Sequence, residues 1–145
     1  MVLNENTYRE VINSYTRKDW QPLLDLIPRI ENTKSFGNEV GGGMDDNGAY
    51  HLPNWSSSEI VHEFLKIVYD IPIVIDFHWA AWDGGRAIAS DETFDFDTID
   101  IPTKCKLITA FVRNDRFCEG ALASAFEKGI MLKILKSIQK QVQER

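Results

Sequence analysis

Apolar residues recur every three or four positions along most of the chain, which is the spacing of an amphipathic helix. The pattern predicts a predominantly α-helical α+β fold with about five or six helices and a small β-hairpin. An apolar stripe between Asp19 and Ile30 predicts a helix, which Pro28 should kink or end. The clearest helical ranges are 56–70, with a capping box of Ser56 and Glu59, 79–89, 103–112, 117–128 and 130–142.

The helical pattern breaks in residues 36–55, which contain five of the nine glycines. The sequence Asp-Asn-Gly, ending at Gly48, is a strong turn signal. Val40 on one side and residues 50–52 on the other can flank this turn as short strands. The three consecutive glycines lack the Gly-Lys-Ser/Thr ending of a phosphate-binding loop, so they favour a hinge or loop. A second strand-like run, 73–75, is short and apolar.

Length and composition indicate a single globular domain, 1–145, because 43% hydrophobic and 26% charged residues are typical of such domains. The two cysteines show neither a disulfide framework nor a zinc spacing. The N-terminal residues lack the pattern of a secretory leader. The longest apolar run, 71–82, is too short to cross a bilayer. We therefore expect a cytoplasmic protein with no membrane association.

Charge is distributed unevenly along a chain whose formal net charge is −6. This acidity makes nucleic acid an unlikely partner, since phosphate neutralisation dominates that affinity. Residues 128–145 carry five basic side chains and one acidic one, whereas 76–100 carry seven acidic side chains and one arginine. Both segments can be solvated surfaces. Alternatively, the C-terminal helix docks on an acidic partner, which can be the protein's own acidic segment.

The first candidate site lies in the sequence DFHWAAWDGGR. Asp76 and His78 would share a face of a strand, and a carboxylate with an imidazole can bind a metal or transfer protons. With Asp83 they form a weak metal-binding candidate. In the structural alternative, His78 caps a helix while Asp76 pairs with an arginine. Asp83 can also pair with Arg86, one helical turn later.

The second candidate is RNDRFCEGALASAFEKG, which begins at Arg113. Structurally, Arg113 would complement a helix dipole, Asn114 or Asp115 would cap the next helix, and Arg116 would pair with Glu119. Functionally, the two arginines would bind an anion, because guanidinium groups suit phosphate and carboxylate. Asn114 and Glu119 would then orient that anion. Both interpretations stay open at the level of sequence.

Trp79 and Trp82 form the aromatic part of the candidate site, because such residues near loops line ligand pockets as well as cores. We expect the turn from Arg113 to Glu119 to lie against the segment from Trp79 to Arg86. Asp76 or Asp83 would then meet Arg113 or Arg116. The candidate ligand-binding residues are Arg113, Asn114, Arg116, Glu119, Trp79, Trp82 and Arg86.

Three segments resemble a bacterial domain-of-unknown-function family of small stand-alone proteins, over about residues 20–138. The most specific is the run Arg-Asn-Asp-Arg-Phe-x-Glu-Gly-x-Leu, here Arg113 to Leu122, followed by Phe126 and Gly129. The looser ones are Phe36-Gly37 with the glycines after Val40, and Asp76-Phe77 with Trp79, Trp82 and Arg86. The family has no established activity, so the resemblance implies a fold and supplies no reaction.

The sequence therefore favours a non-catalytic binding or accessory module for a protein or a small anionic ligand. The alternative is a small metal-dependent or acid/base hydrolase-like enzyme that uses Asp76, His78, Asp83 and Glu119. No pattern identifies a cofactor, and a homo-oligomer is compatible with the sequence.

Overall fold

A computed structural model describes residues 2–144 and confirms the predominantly helical α+β class. Residues 1 and 145, which the predicted single domain includes, lie outside the described residues. Residues 2–144 contain eight α-helices and six short strands. The helices are α1 (Tyr8–Ser14), α2 (Arg17–Leu24), α3 (Leu26–Glu31), α4 (Glu59–Asp70), α5 (Asp83–Ser90), α6 (Ile101–Asn114), α7 (Ala121–Glu127) and α8 (Ile130–Gln143). The strands are β1 (Leu3–Asn4), β2 (Gly37–Val40), β3 (Gly43–Met44), β4 (Tyr50–His51), β5 (Asn54–Ser57) and β6 (Ile75–Asp76).

The helix predicted around Pro28 is divided into α2 and α3, which meet at Asp25. Proline has no N–H, so Pro28 cannot continue the ladder back to the carbonyl four residues earlier. The preceding helix starts with a complete capping box, in which Thr16 and Asp19 bond each other's backbone N–H groups. The structure therefore has more helices than the sequence predicted, partly because this proline divides one predicted helix into two.

The predicted β-hairpin is present and is longer than the sequence indicated. Strand β2 pairs with β5 and β3 pairs with β4, both antiparallel and in one common register, so the four strands form a single hairpin. The Asp45 carboxylate accepts hydrogen bonds from the N–H groups of Asn47 and Ala49 and thereby fixes the turn. Because Ser56 pairs with Asn38, α4 starts only at Glu59, and the predicted capping box does not form.

A second, parallel pairing joins the N-terminus to the middle of the chain. Strand β1 pairs with β6, which lies at the end of the apolar run predicted as a strand. Thr109 of α6 accepts a hydrogen bond from the Ile75 N–H at 3.1 Å. This bond fixes the position of the segment that leads into the candidate site.

One connected hydrophobic cluster links these elements, with α6 and α8 contributing to it along most of their lengths. Phe126 of α7 stacks on Phe36 and meets the edge of Phe64, with ring centroids 5.2 and 5.0 Å apart. Full burial of such a side chain contributes about 1.5–3 kcal/mol. The packing therefore holds α7, and with it the turn after α6, against the base of the hairpin.

The basic helix α8 docks on the acidic segment of its own chain. Ser137 and Lys140 donate hydrogen bonds to the two carboxylate oxygens of Asp97, at 2.5 and 3.0 Å. Gln141 donates to the Ile99 carbonyl at 3.1 Å. These bonds lower the pKa of the Asp97 carboxyl, that from Ser137 most. The charge asymmetry of the sequence thus serves an intramolecular contact between α8 and the acidic segment.

No helix within residues 2–144 has the length and apolar character needed to cross a membrane.

Candidate functional site

A cleft of about 320 Å³ opens between α6 and the segment formed by a short 3-10 turn and α5. Its α6 wall is a helical stripe that ends at Asn114, the last residue of that helix. Apolar side chains form most of the remaining wall, and a guanidinium lies at the opposite side. The lining residues used below are Trp79, Trp82, Arg86, Ala110, Phe111 and Asn114.

Trp82 takes its position because the first turn of α5 has no side chains beneath the indole. A Cβ atom at Gly85 would lie 2.4 Å from Cε3 of Trp82, a distance that no real contact tolerates. Phe77 meets the indole edge-on at 5.8 Å between centroids. The Lys106 ammonium lies 4.9 Å from the Trp82 centroid and 4.6 Å from that of Phe77, within cation–π range.

Trp79 connects the cleft to the turn after α6. Its ring lies 5.9 Å from that of Phe117, a residue 78% exposed. The expected contact between the two candidate segments is therefore present, and it is made by aromatic rings. Phe117 extends the apolar surface from the cleft towards the hairpin.

The turn from Asp115 to Gly120 is held by two carboxylates. Asp115 accepts a hydrogen bond from the Leu122 N–H at 3.1 Å and so caps α7, as one of the sequence interpretations had it. Glu119 accepts from the Trp55 N–H of the hairpin at 2.8 Å. Helix α7 begins at Ala121, later than predicted, because Gly120 adopts a left-handed conformation with φ of 88°.

The expected ion pairs of Arg113 and Arg116 are not formed. Within the described part of the chain, neither guanidinium pairs with a carboxylate, so the predicted contacts to Asp76 or Asp83 are wrong. Asp83 instead lies 3.8 Å from Arg86, its neighbour one turn along α5. Glu119 is engaged with the hairpin backbone rather than with Arg116. Arg113 is half-buried, and Arg116 is exposed.

Residues 15–144, which contain the cleft and this turn, match a family of unknown function, DUF6508. The chain belongs to this family. The match includes the whole of the 20–138 region that the sequence resemblance indicated. Neither a curated protein nor a solved structure matches the chain. Membership in DUF6508 thus supplies no reaction, and any function must be argued from the site itself.

The four residues of the hydrolase-like alternative are not connected in this DUF6508 protein. Strand β6 ends at Asp76, so the strand face that Asp76 and His78 would have shared does not continue. Over residues 2–144, no hydrogen bond or ion pair joins any two of Asp76, His78, Asp83 and Glu119. No group of three or more His, Cys, Asp or Glu side chains in the same range is placed to hold a metal ion.

Two features of the site region were missed at the level of sequence. The helical pattern of 103–112 did not single out Phe111 as a site residue, yet this side chain lines the cleft beside Asn114. Lys104 lies three residues after Ile101 and four before Ile108, and this core-facing spacing is the signal that could have revealed its burial. Periodicity alone does not show which side of a helix faces a cleft.

Lys104 is fully buried, and its Nζ has no hydrogen-bond partner in the described residues. Burial lowers the pKa of this ammonium to about 8, although the carboxylates of Asp97 and Asp100 act in the opposite direction. The neighbouring Cys105 thiol is also fully buried, and its pKa is raised by the same loss of hydration. Lys104 does not line the cleft. The free energy that is lost by burying its ammonium therefore lowers the stability of the fold and has no connection with the cleft.

Proposed function

We propose that this DUF6508 protein is a non-catalytic binding module whose cleft takes an anionic ligand with an apolar body. The observation that carries the proposal is an aromatic cleft lined by Arg86 and Asn114, with Arg113, the residue before Asn114, lacking a carboxylate partner among residues 2–144. A small carboxylate and an acidic protein side chain share this chemistry.

The apolar part of the ligand would lie against Trp79, Trp82 and Phe111. Ligand pockets of proteins typically have volumes of about 300–1,000 Å³ and are lined mainly by apolar and aromatic side chains. The observed volume of about 320 Å³ is at the small end of that range. The cleft therefore suits a single ring system, or one or two side chains of a protein.

The charged part of the ligand would lie towards Asn114 and the two unpaired arginines. Arg113 directly precedes the cleft residue Asn114 and follows Ala110 by one helical turn, so it is close to the end of the α6 wall without lining the cleft itself. On the opposite side, Arg86 donates a hydrogen bond to the Ala80 carbonyl, which orients its guanidinium. A guanidinium without a carboxylate partner keeps its donors available for a planar two-oxygen anion.

Binding of indole-3-carboxylate tests the proposal, with neutral indole-3-carboxamide as its isostere. We expect the carboxylate to raise the melting temperature and change tryptophan fluorescence, and the amide to bind more weakly. The double variant Arg113→Gln/Arg116→Gln should show a smaller preference for the anion, since only Arg86 of the three arginines remains. Lys18→Gln removes an exposed cation outside the cleft and is the matched control. An undiminished preference in the double variant, or no binding by the wild type, would contradict the proposal.

A further inference from the structure

The distal part of the hairpin, residues 40–54, is called the arm. Every residue of the arm except Gly43 is exposed. It carries four of the six large hydrophobic side chains that are exposed in residues 2–144, the other two being Val2 and Phe117. The four are Val40, Met44, Tyr50 and Leu52, with exposed fractions of 44%, 68%, 65% and 75%.

The arm projects from the body, whereas its base is fixed. A Cβ atom at Gly41, Gly43 or Gly48 would meet no other atom within 4 Å. At the base, the Trp55 indole lies against Gly120, and the backbone N–H of Trp55 donates a hydrogen bond to Glu119. The four apolar side chains of the arm are therefore exposed rather than packed against the body.

The exposed apolar area of the arm is comparable to the largest apolar patch of a typical monomer. Together these four side chains expose on the order of a few hundred Å² of apolar surface. The largest apolar patch on a typical monomeric protein is about 300–600 Å² and is often functional. A two-stranded hairpin is also marginally stable in water without a surface to cover it. Both points indicate that something covers the arm.

We propose that the arm of one copy docks on the aromatic cleft of a second copy, and that the contact is reciprocal. This inference rests on the proposed function, since it uses the same cleft. The arm carries Asp45 and Asp46 and no lysine or arginine. The cleft is lined by Arg86, and Arg113 and Arg116 lie within two residues of its lining residue Asn114. The two surfaces therefore match in both apolar character and charge.

A second copy fits better than an unrelated partner because each chain carries both surfaces close together. The hairpin base contacts Glu119, and Phe117, two residues earlier, contacts the cleft residue Trp79. A two-fold axis near this turn would place each arm on the other chain's cleft. If each arm covers an equal area of its partner, the two contacts together bury about four times the exposed apolar area of one arm, on the order of 1,000–2,000 Å². Stable interfaces bury about 1,200–2,000 Å².

Sedimentation equilibrium of the full chain tests the inference. We expect twice the monomer mass at concentrations of about 100 µM, the micromolar regime that a modest interface supports. Tyr50→Ser/Leu52→Ser in the arm should return the mass to that of a monomer. Phe117→Ser beside the cleft should do the same. Val2→Ser removes an exposed apolar side chain outside both surfaces and should leave the dimer intact.

Mixing the two kinds of variant separates arm-to-cleft docking from arm-to-arm docking. The arm variant keeps an intact cleft, and the Phe117→Ser variant keeps an intact arm. A mixture can form one of the two contacts, so it should show a weak heterodimer that neither variant forms alone. A wild-type monomer throughout, a dimer that survives both variants, or a mixture without heterodimer would each overturn the inference.

The indole-3-carboxylate measurement distinguishes this inference from the proposed function. The monomeric arm variant should bind the carboxylate at least as well as the wild type, because no second arm competes for its cleft. Carboxylate binding by a wild-type monomer would support the proposed function and overturn the dimer. The reverse result is a dimer that depends on both surfaces, together with an arm variant that binds no carboxylate. It would support docking of the arm and contradict the binding of a small anionic ligand in the cleft.

Discussion

Replacing Lys104 by methionine should increase the free energy of unfolding. The ammonium of Lys104 is fully buried, and no hydrogen-bond acceptor compensates for its lost hydration in residues 2–144. Methionine has a similar length and flexibility and can fill the same space without a charge. The substitution removes the cost of burying the charge while it keeps the packing of α6.

The magnitude follows from the shift in protonation. Burial lowers the pKa of Lys104 from 10.5 to about 8. Each pKa unit corresponds to about 1.4 kcal/mol, so the buried charge costs about 3 kcal/mol at pH 7. Asp97 and Asp100 attract this ammonium and would lose that attraction in the variant. The stabilisation should therefore be no more than about 3 kcal/mol.

The dependence on pH gives the sign of the effect an independent check. The unfolded state binds this proton more tightly than the folded state does, so wild-type stability rises between the folded pKa of about 8 and the unfolded value of 10.5. Below pH 8 the cost is fully present and constant. Lys104→Met should lack this rise, and its advantage over the wild type should shrink at alkaline pH.

Urea denaturation of both proteins at neutral and alkaline pH measures the effect. Other groups that titrate at alkaline pH are common to both proteins and cancel in the difference. Lys136→Met is the matched control, because Lys136 is exposed and only loosely paired, 3.5 Å from Glu31; its effect should stay within about 1 kcal/mol. A destabilised Lys104→Met protein, or equal pH slopes in variant and wild type, would show that the ammonium is compensated in solution.

Three further substitutions test the contacts around the cleft and α8. Gly85→Ala should displace Trp82 and lower stability by about 1–3 kcal/mol through overpacking, with a shift in tryptophan emission; unchanged emission would contradict the close contact. Glu119→Gln should weaken the bond to the Trp55 N–H and cost no more than about 1–2 kcal/mol in urea denaturation, whereas an unaffected stability would mean that the hairpin base is held otherwise. The pKa of Asp97 is lowered in the fold, so its carboxylate stabilises the protein above its unfolded pKa, and this is lost as pH falls through the folded value. Asp97→Asn should therefore flatten the acid limb of a stability–pH curve, and a parallel limb would refute that assignment.

The helices were predictable because their sequence signal is local, but the residues at which they begin and end were not. The stripe of α4 follows directly from its periodicity, yet the helix starts at Glu59 because Ser56 pairs with a strand some 18 residues earlier. Likewise, α7 starts at Ala121 because Gly120 takes a left-handed turn against Trp55. A serine or a glycine near a helix end suits several local structures. Pairing with distant residues selects one of them.

The composition of the candidate site was also partly predictable. The sequence singled out Trp79, Trp82, Arg86 and Asn114, and the structure brings all four to one cleft. It did not predict that Glu119 would hold the hairpin. Opposite charges that are close in sequence suggest an ion pair, but a backbone N–H from 64 residues away took this carboxylate.

By itself, the sequence determined the helical class, the turn at the hairpin tip and the set of residues available for a site. These are properties of short windows, since periodicity and turn chemistry depend on neighbours along the chain. Only the tertiary structure decided which polar groups have partners. Among residues 2–144 it left Lys104 buried without an acceptor and Arg113 without a carboxylate, because partnership depends on distances between residues that are remote in sequence. Those distances are set by the packing of the whole core.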